Sequence, residues 1–229
     1  MKLLAIDTAT EACSAALLYG ASLLTRYEEP GRAHAERILP MVDEILAESG
    51  VSLASLDAIA FGRGPGAFTG LRIAAGVVQG LAFGADLPVL PVSNLAALAE
   101  RAFLETAASA VLVCIDARMA EVYCCAYRRS ADAAQGLGPE RVMSPSQVQI
   151  IPSSVESGAW FGAGTGFGAH PQLGSRLGLF PSNVDGAMLS RAQEVARIGA
   201  RDWVAGRALP AEQALPVYLR DQVAVMPRP

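Results

Sequence analysis

Polar positions cut the chain into short apolar runs with two different periods. Residues 2–6 are apolar up to Ile6 and stop at Asp7, and residues 13–19 and 22–28 are two further strand-like runs separated by Gly20 at a tight turn. The opening therefore predicts three strands joined by turns. In HAERILPMVDEILAESG the period changes: Ile38, Leu39, Val42, Ile45 and Leu46 fall on one helical face, and Gly50 is the stop. Pro40 inside this stretch predicts a kink or a restart. Residues 57–62 predict a buried strand, 67–84 a long helix, 87–92 a short strand, and 93–106 an amphipathic helix capped by Ser93 or Asn94.

The opening pattern then returns. LLAIDTATEACSAAL and VLVCIDARMAEVYCC both read as apolar run, Asp, small turn and strand, so residues 110–115 and 121–128 echo the first hairpin. The second copy is looser. Residues 130–139 predict a surface loop, 144–149 a short helix behind Pro145, 159–162 a brief strand, and GAGTGFGAHP a second glycine-rich turn. Residues 187–206 predict a helix containing Val195, Ile198 and Trp203, and the tail runs through PVYLR to a frayed MPRP end. Strands alternating with helices in two similar halves predict an α/β protein with repeated βββαβα units. The two lobes are expected at 1–107 and 108–229, the second reduced, its last helix free to pack back on the first lobe.

Composition narrows the class. The 229 residues are 52% hydrophobic, enough for a sizeable core. No apolar run reaches the roughly 18 residues of a bilayer span. The four apolar residues before Asp7 are too few for a signal peptide, which predicts a cytoplasmic protein with no membrane association. Net charge is −4, and Lys and Arg are scattered apart from Arg128 and Arg129. Such a surface does not predict independent binding to an RNA backbone. Cys13, Cys114, Cys124 and Cys125 form no Cys-x-x-Cys pair, and adjacent Cys124 and Cys125 point to opposite faces of a strand; buried reduced thiols are expected.

The stretch GRGPGAFTGLRIAAG is the strongest candidate for chemistry. Gly62, Gly64 and Ala67 formally satisfy G-x-G-x-x-A between a strand and a helix, yet the next strand ends in Ser93 with no acidic residue for a ribose. A phosphate-binding P-loop needs a lysine that this loop lacks. Backbone amides at the helix start, helped by Arg63 and Arg72, still suit an anion. The mechanical reading is preferred: Gly64-Pro65-Gly66 makes a sharp turn, and Gly76, Gly80 and Gly84 recur every four residues. That stripe costs helix propensity, about 1 kcal/mol per Gly, and predicts the close approach of another backbone, from this chain's sheet or from another chain.

Other candidates are weaker. Ser14 and Ser93 have no His and Asp partners in a nucleophile-elbow setting. His34 reads as a capping or interface residue and His170 as an exposed turn residue. Asp7 and Asp116 have three readings: paired carboxylates across a cleft, magnesium ligands, or turn caps. Glu11 and Glu121 follow them at similar spacing and share that ambiguity.

MKLLAIDTAT, HAERILP, GRGPGAFTGLRIAAG, PVSNLAALA, IDARMAEVY and PVYLR, in this order over almost the whole chain, resemble the TsaB (YeaZ) family. The resemblance implies the two-lobed ASKHA fold of actin, sugar kinases and Hsp70. It implies a non-catalytic subunit that binds and activates the transferase TsaD in forming N6-threonylcarbamoyladenosine at position 37 of tRNAs that read codons starting with A. In TsaD, which is similar to the first half, a His-x-x-x-His pair on a helix binds the catalytic metal. The matching positions here are Asn94 and Leu98, which implies no metal, no cofactor and no catalytic residue on this chain. A vestigial cleft is expected near Asp7, Thr8, Thr10 and Asp116, with ATP and metal on partner subunits. The implied interface lies on helices 33–48 and 67–84, with contacts at Ala33, His34, Ile38, Met41, Ile45, Gly76, Val77 and Gly80. Partners implied are a TsaD-type transferase, a TsaE-type ATPase through the complex, a homodimer when TsaD is absent, and tRNA only indirectly. The alternative is an independent ATP-binding or peptidase-type ASKHA enzyme.

Overall fold

The first apolar run is strand β1 (Lys2–Asp7), paired antiparallel with β2 (Cys13–Tyr19), which pairs with β3 (Ser22–Glu28). Beyond β1 lie two parallel strands, β4 (Ala58–Gly64) and β5 (Val89–Ser93), giving the order β3-β2-β1-β4-β5. Helices α1 (His34–Ser49), α2 (Phe68–Ala85) and α3 (Asn94–Glu105) complete the first half. A computed structural model describes residues 1–130, 133–150 and 160–220. The expected frayed end at 226–229 and the expected start of a strand at residue 159 lie outside the described residues.

The second sheet repeats this order. Strand β6 (Ala110–Asp116) takes the place of β1 and β7 (Val122–Arg129) that of β2. Short strands β8 (Ala134–Gly136) and β9 (Arg141–Met143) both pair with β7, while β10 (Trp160–Ala163) and β11 (Val184–Asp185) run parallel to β6 on its other side. The loop expected over 130–139 thus contains β8. Helix α4 (Thr165–Ala169) lies in the second glycine-rich segment and α5 (Gln172–Arg176) follows it, and α6 (Ala192–Val204) ends the helical part. The helix expected behind Pro145 is a single 3-10 turn, Pro145–Gln147.

Five layers result. Helices α1 and α2 cover one face of the first sheet, where Ile38, Met41, Val42, Ile45, Ala74 and Val78 meet Leu4, Ile6, Ile59 and Phe61. The other face carries α6, through Ala192, Val195 and Ala196 on Leu3, Ala5, Ala60 and Leu90. Helix α3 packs instead on the second sheet, with Leu95, Leu98, Ala102 and Phe103 against Val111 and Val113. The far side of that sheet holds Phe167 and Leu173 of α4 and α5. Each half therefore sends one helix into a shared middle layer, and α6 sits on the first sheet although it follows residue 108. Cys124 faces one core and Cys125 the other, and all four cysteines are free and buried.

Local rules account for the element ends. Ser93 caps α3, its hydroxyl accepting from the Ala96 amide at 3.2 Å. Gly50, at φ 67°, closes α1 in the left-handed conformation. Helix α1 runs through Pro40 without a break. The carbonyl that loses its partner belongs to Glu36, an exposed residue, where water can replace the bond.

Candidate functional site: the interlobe cleft and the open face of α2

The turn after β1 is built for packing. Thr8 donates its hydroxyl to the Gly70 carbonyl at 2.7 Å, and the Ala67 amide donates to the Ala9 carbonyl at 2.7 Å. A side chain at Gly66 or Gly70 would overlap the Ala9 or Thr8 carbonyl, so these two glycines are where another backbone comes close. A methyl group at Gly76, Gly80 or Gly84 would meet nothing within 4 Å. The expected close approach within this chain is thus corrected: α2 lies on its sheet through Gly70, Leu71, Ala74, Ala75, Val78 and Ala82, and its glycine stripe faces outward.

Asp7 sits beneath this turn, 1% exposed. Its carboxylate accepts from Ser190 Oγ at 2.6 Å, Asn94 Nδ2 at 2.9 Å and the Ala9 amide at 3.0 Å. Asn94 Nδ2 also reaches Ser190 Oγ at 3.1 Å, and Asn94 Oδ1 accepts from the Gly64 amide at 2.8 Å. Asn94 is therefore a junction joining β1, the β4–α2 loop, α3 and the segment entering α6. Leu98, one turn on, is 1% exposed and belongs to the second-sheet core. The pairing of Asp7 with Asp116 across a cleft is corrected as well, because both Asp7 oxygens are engaged inside the protein.

Burial pushes the Asp7 carboxyl above its ordinary value of 3.8. Hydrogen bonds from Ser190, Ala9 and Asn94 pull it down, and the charge of Glu194 pushes with the burial. The folded state thus holds this proton more tightly than the unfolded chain does. Stability from this group is highest below the unfolded value and is lost as pH rises through the folded one. Asp7→Asn removes that term. Denaturant midpoints taken from pH 4 to pH 8 are expected to move in favour of Asp7→Asn, relative to the natural chain, as pH rises. The gap should grow by about 1.4 kcal/mol for every tenfold difference in proton affinity between the two states. A gap that is flat or closes with pH contradicts this account of Asp7.

Above the junction lies a cavity of about 210 Å³ between the lobes, lined by Thr10, Glu11, Phe68, Asp116, Arg118, Tyr123, Thr165, Tyr218 and Arg220 among others. Of the four residues expected at a cleft, Thr10 and Asp116 line it, whereas Asp7 and Thr8 lie beneath it. Thr10 Oγ1 accepts from the Ala12 amide at 3.2 Å, and Asp116 pairs with Arg118 at 3.0 Å. Arg118 also reaches Glu11 at 3.5 Å. His34 is buried, its Nε2 3.0 Å from the Thr10 carbonyl, and so ties α1 to the same turn. His170 is half-buried rather than exposed, and its Nε2 has no partner.

The expected interface residues separate into two groups. Ile38, Met41 and Ile45 are 0%, 1% and 0% exposed and His34 is 9%, so none of these four offers a surface. The reason is that α1 has one apolar stripe and the sheet takes it. Gly76 and Gly80 are exposed, and Ala33 and Val77 are half-buried. Around them lie apolar side chains that sequence reasoning missed: Leu39 on α1 at 43% exposed, and Phe68 and Phe83 on α2 at 50% and 65%. Among the described residues α2 is the one helix whose length and mean hydropathy of 1.3 would suffice to cross a bilayer, yet only 33% of it is buried. Ile73, Val77, Leu81 and Ala85 pack partly on the core, so the exposed positions of α2 are Phe68, Thr69, Arg72, Gly76, Gly80, Phe83 and Gly84.

The family model described as "TsaD: tRNA N6-adenosine threonylcarbamoyltransferase" matches residues 28–163. The Escherichia coli tRNA threonylcarbamoyladenosine biosynthesis protein TsaB is 44% identical over 98% of this chain and 96% of its own length. The Haemophilus influenzae protein of the same description is 42% identical over 97% and 95%. A solved structure, YeaZ from Pseudomonas aeruginosa, superposes with a TM-score of 0.87 at 48% identity, covering 95% of this chain and 99% of that one. A second from that organism, described as having similarity to peptidase YEAZ, gives a TM-score of 0.89 at 49% identity over 96% and 99%.

Proposed function

The chain belongs to the TsaB (YeaZ) family of tRNA threonylcarbamoyladenosine biosynthesis proteins, and from that premise we propose that it is the non-catalytic subunit that binds and activates a TsaD-type transferase. The observation that carries this reading is the state of Asn94 and Leu98. Both polar side-chain atoms of Asn94 are already hydrogen-bonded within the protein, and Leu98 is an aliphatic core residue. A catalytic metal needs oxygen, nitrogen or sulfur donors free to converge on it, and these two positions offer none.

What remains for the chain to contribute is shape. The transferase docks on the open face of α1 and α2, around Leu39, Gly76, Gly80 and Phe83. When it is absent, the same face pairs two copies of this chain. ATP and metal reside on the partner subunits. A TsaE-type ATPase joins through the assembled complex, and tRNA is met only indirectly. A peptidase reading would need an accessible nucleophile with a base. Ser190, whose hydroxyl donates to the Asp7 carboxylate, is 0% exposed.

The test is threonylcarbamoylation of a substrate tRNA by the TsaD-type transferase, with and without this chain. The modified nucleoside is expected to form with both proteins present, to fall at least tenfold when this chain is omitted, and not to form with this chain alone. Modification by this chain alone, or by the transferase at an undiminished rate without it, overturns the reading.

A further inference from the structure

After α6 the chain returns along the first lobe. Leu209 exchanges two backbone hydrogen bonds with Val89 at 2.7 and 2.9 Å, and Ala214, 0% exposed, is anchored on α2, where its carbonyl accepts from Gln79 at 3.2 Å. From there residues 215–220 run past the interlobe cavity, which Tyr218 and Arg220 help to line. Their hold on the first lobe is light. The Val217 amide donates to the Arg63 carbonyl at 2.7 Å, the Tyr218 ring leans on Phe68 at 5.4 Å, and the Tyr218 hydroxyl accepts from Arg72 Nε at 3.2 Å. Leu215 and Tyr218 remain 58% and 44% exposed, and Pro216, Val217 and Leu219 are half-buried, so no side chain of 215–220 is fully buried.

Its far end is fixed differently. Arg220 pairs with Glu121 and reaches the Arg118 carbonyl and Met119 Sδ at 3.5 Å, all on the turn between β6 and β7. That turn holds Arg118, Met119 and Ala120 at φ 61°, 54° and 57°, a left-handed conformation that L-residues rarely adopt three times in succession. Both Tyr218 and Arg220 line the cavity from above. A segment with one charged clamp and no fully buried side chain belongs to the low-stability end of a fold, where local opening costs far less than unfolding.

We propose that residues 215–220 are a strap that partly closes the interlobe cavity and opens when the Arg220–Glu121 ion pair breaks. The anchor at Ala214 stays in place, and the strap swings from it. The cavity, already part-open beside the exposed Glu11 and Arg118, then gains a second and wider opening where Tyr218 and Arg220 stood, without separation of the two lobes, which the shared α3–α6 layer holds together.

The test uses the full chain carrying Thr10→Cys, a reporter inside the cavity, and reads the rate of its modification by a water-soluble maleimide. The four natural cysteines are buried. Arg220→Ala and Glu121→Gln, which break the clamp from opposite sides, are each expected to speed modification about five- to tenfold, the size of one ordinary net hydrogen bond. Arg220→Lys should recover part of the closure. The double variant should react no faster than the faster single one, because both remove the same contact. Arg207→Ala, which breaks an exposed pair with Asp202 away from the cavity, should leave the rate unchanged. Thermal melting verifies the fold of each variant. The strap is refuted if Arg220→Ala and Glu121→Gln leave the rate unchanged, if their effects multiply in the double variant, or if Arg207→Ala speeds modification equally.

Discussion

Gly70→Ala is expected to cost about 3 kcal/mol or more and to lower the melting temperature by roughly 6–12 °C, whereas Gly76→Ala, six residues along the same helix, should raise it. The Cβ added at Gly70 would overlap the Thr8 carbonyl, which is backbone and cannot rotate away. The same turn is held by the Thr8 hydroxyl on the Gly70 carbonyl at 2.7 Å, so relief by sliding would break that bond as well. At Gly76 an added Cβ meets nothing within 4 Å, and the helix gains about 1 kcal/mol of propensity. Thermal melts of the two variants measure both signs in one experiment. If both variants destabilise, or neither does, the outward orientation of the glycine stripe is wrong.

The same pair of glycines marks where sequence reading reaches its limit. A glycine every four residues says that one face of a helix lacks side chains; it does not say what lies opposite. Gly66 and Gly70 answer to a neighbouring backbone and Gly76 and Gly80 to open space, and only the seating of α2 on β4 and β1 tells them apart. A related ambiguity misplaced Ile38, Met41 and Ile45. Their spacing marks a buried stripe, and that stripe was assigned to a partner when the chain's own sheet takes it. The first-half elements were legible because β1–β5 are short apolar runs bounded by turn residues, and α1 and α3 carry a clear helical period. The short strands β8, β9 and β11 and the one-turn helices α4 and α5 carry none. The short strands exist because β7 and β10 supply partners for their backbones. Asn94 could be picked out as a position lacking a metal-binding side chain. Its role as a junction could not, since Ser190 lies 96 residues further along the chain.

Gly80→Arg should abolish capture of the TsaD-type transferase while leaving this chain folded and as stable as before. The open space at Gly80 accepts a long side chain, and arginine is a better helix former than glycine, so the melting temperature should hold or rise slightly. The docking face is another matter. Gly80 lies between the half-buried Val77 and Leu81 and close in sequence to Phe83, at 65% exposure, so a partner seated there would meet a bulky cation in the middle of an apolar contact. Burying an unpaired guanidinium together with the steric misfit costs well over 2 kcal/mol at the centre of an interface, at least a roughly thirtyfold loss of affinity. Ser182→Arg adds the same charge at an exposed site on the second lobe and should leave capture intact. Titration calorimetry of the two variants against the transferase separates a lost docking face from a general charge effect. Self-association of the chain, followed by sedimentation, should weaken with Gly80→Arg and not with Ser182→Arg if, as proposed, one apolar face serves both contacts. Undiminished affinity of Gly80→Arg for the transferase would remove α2 from the interface.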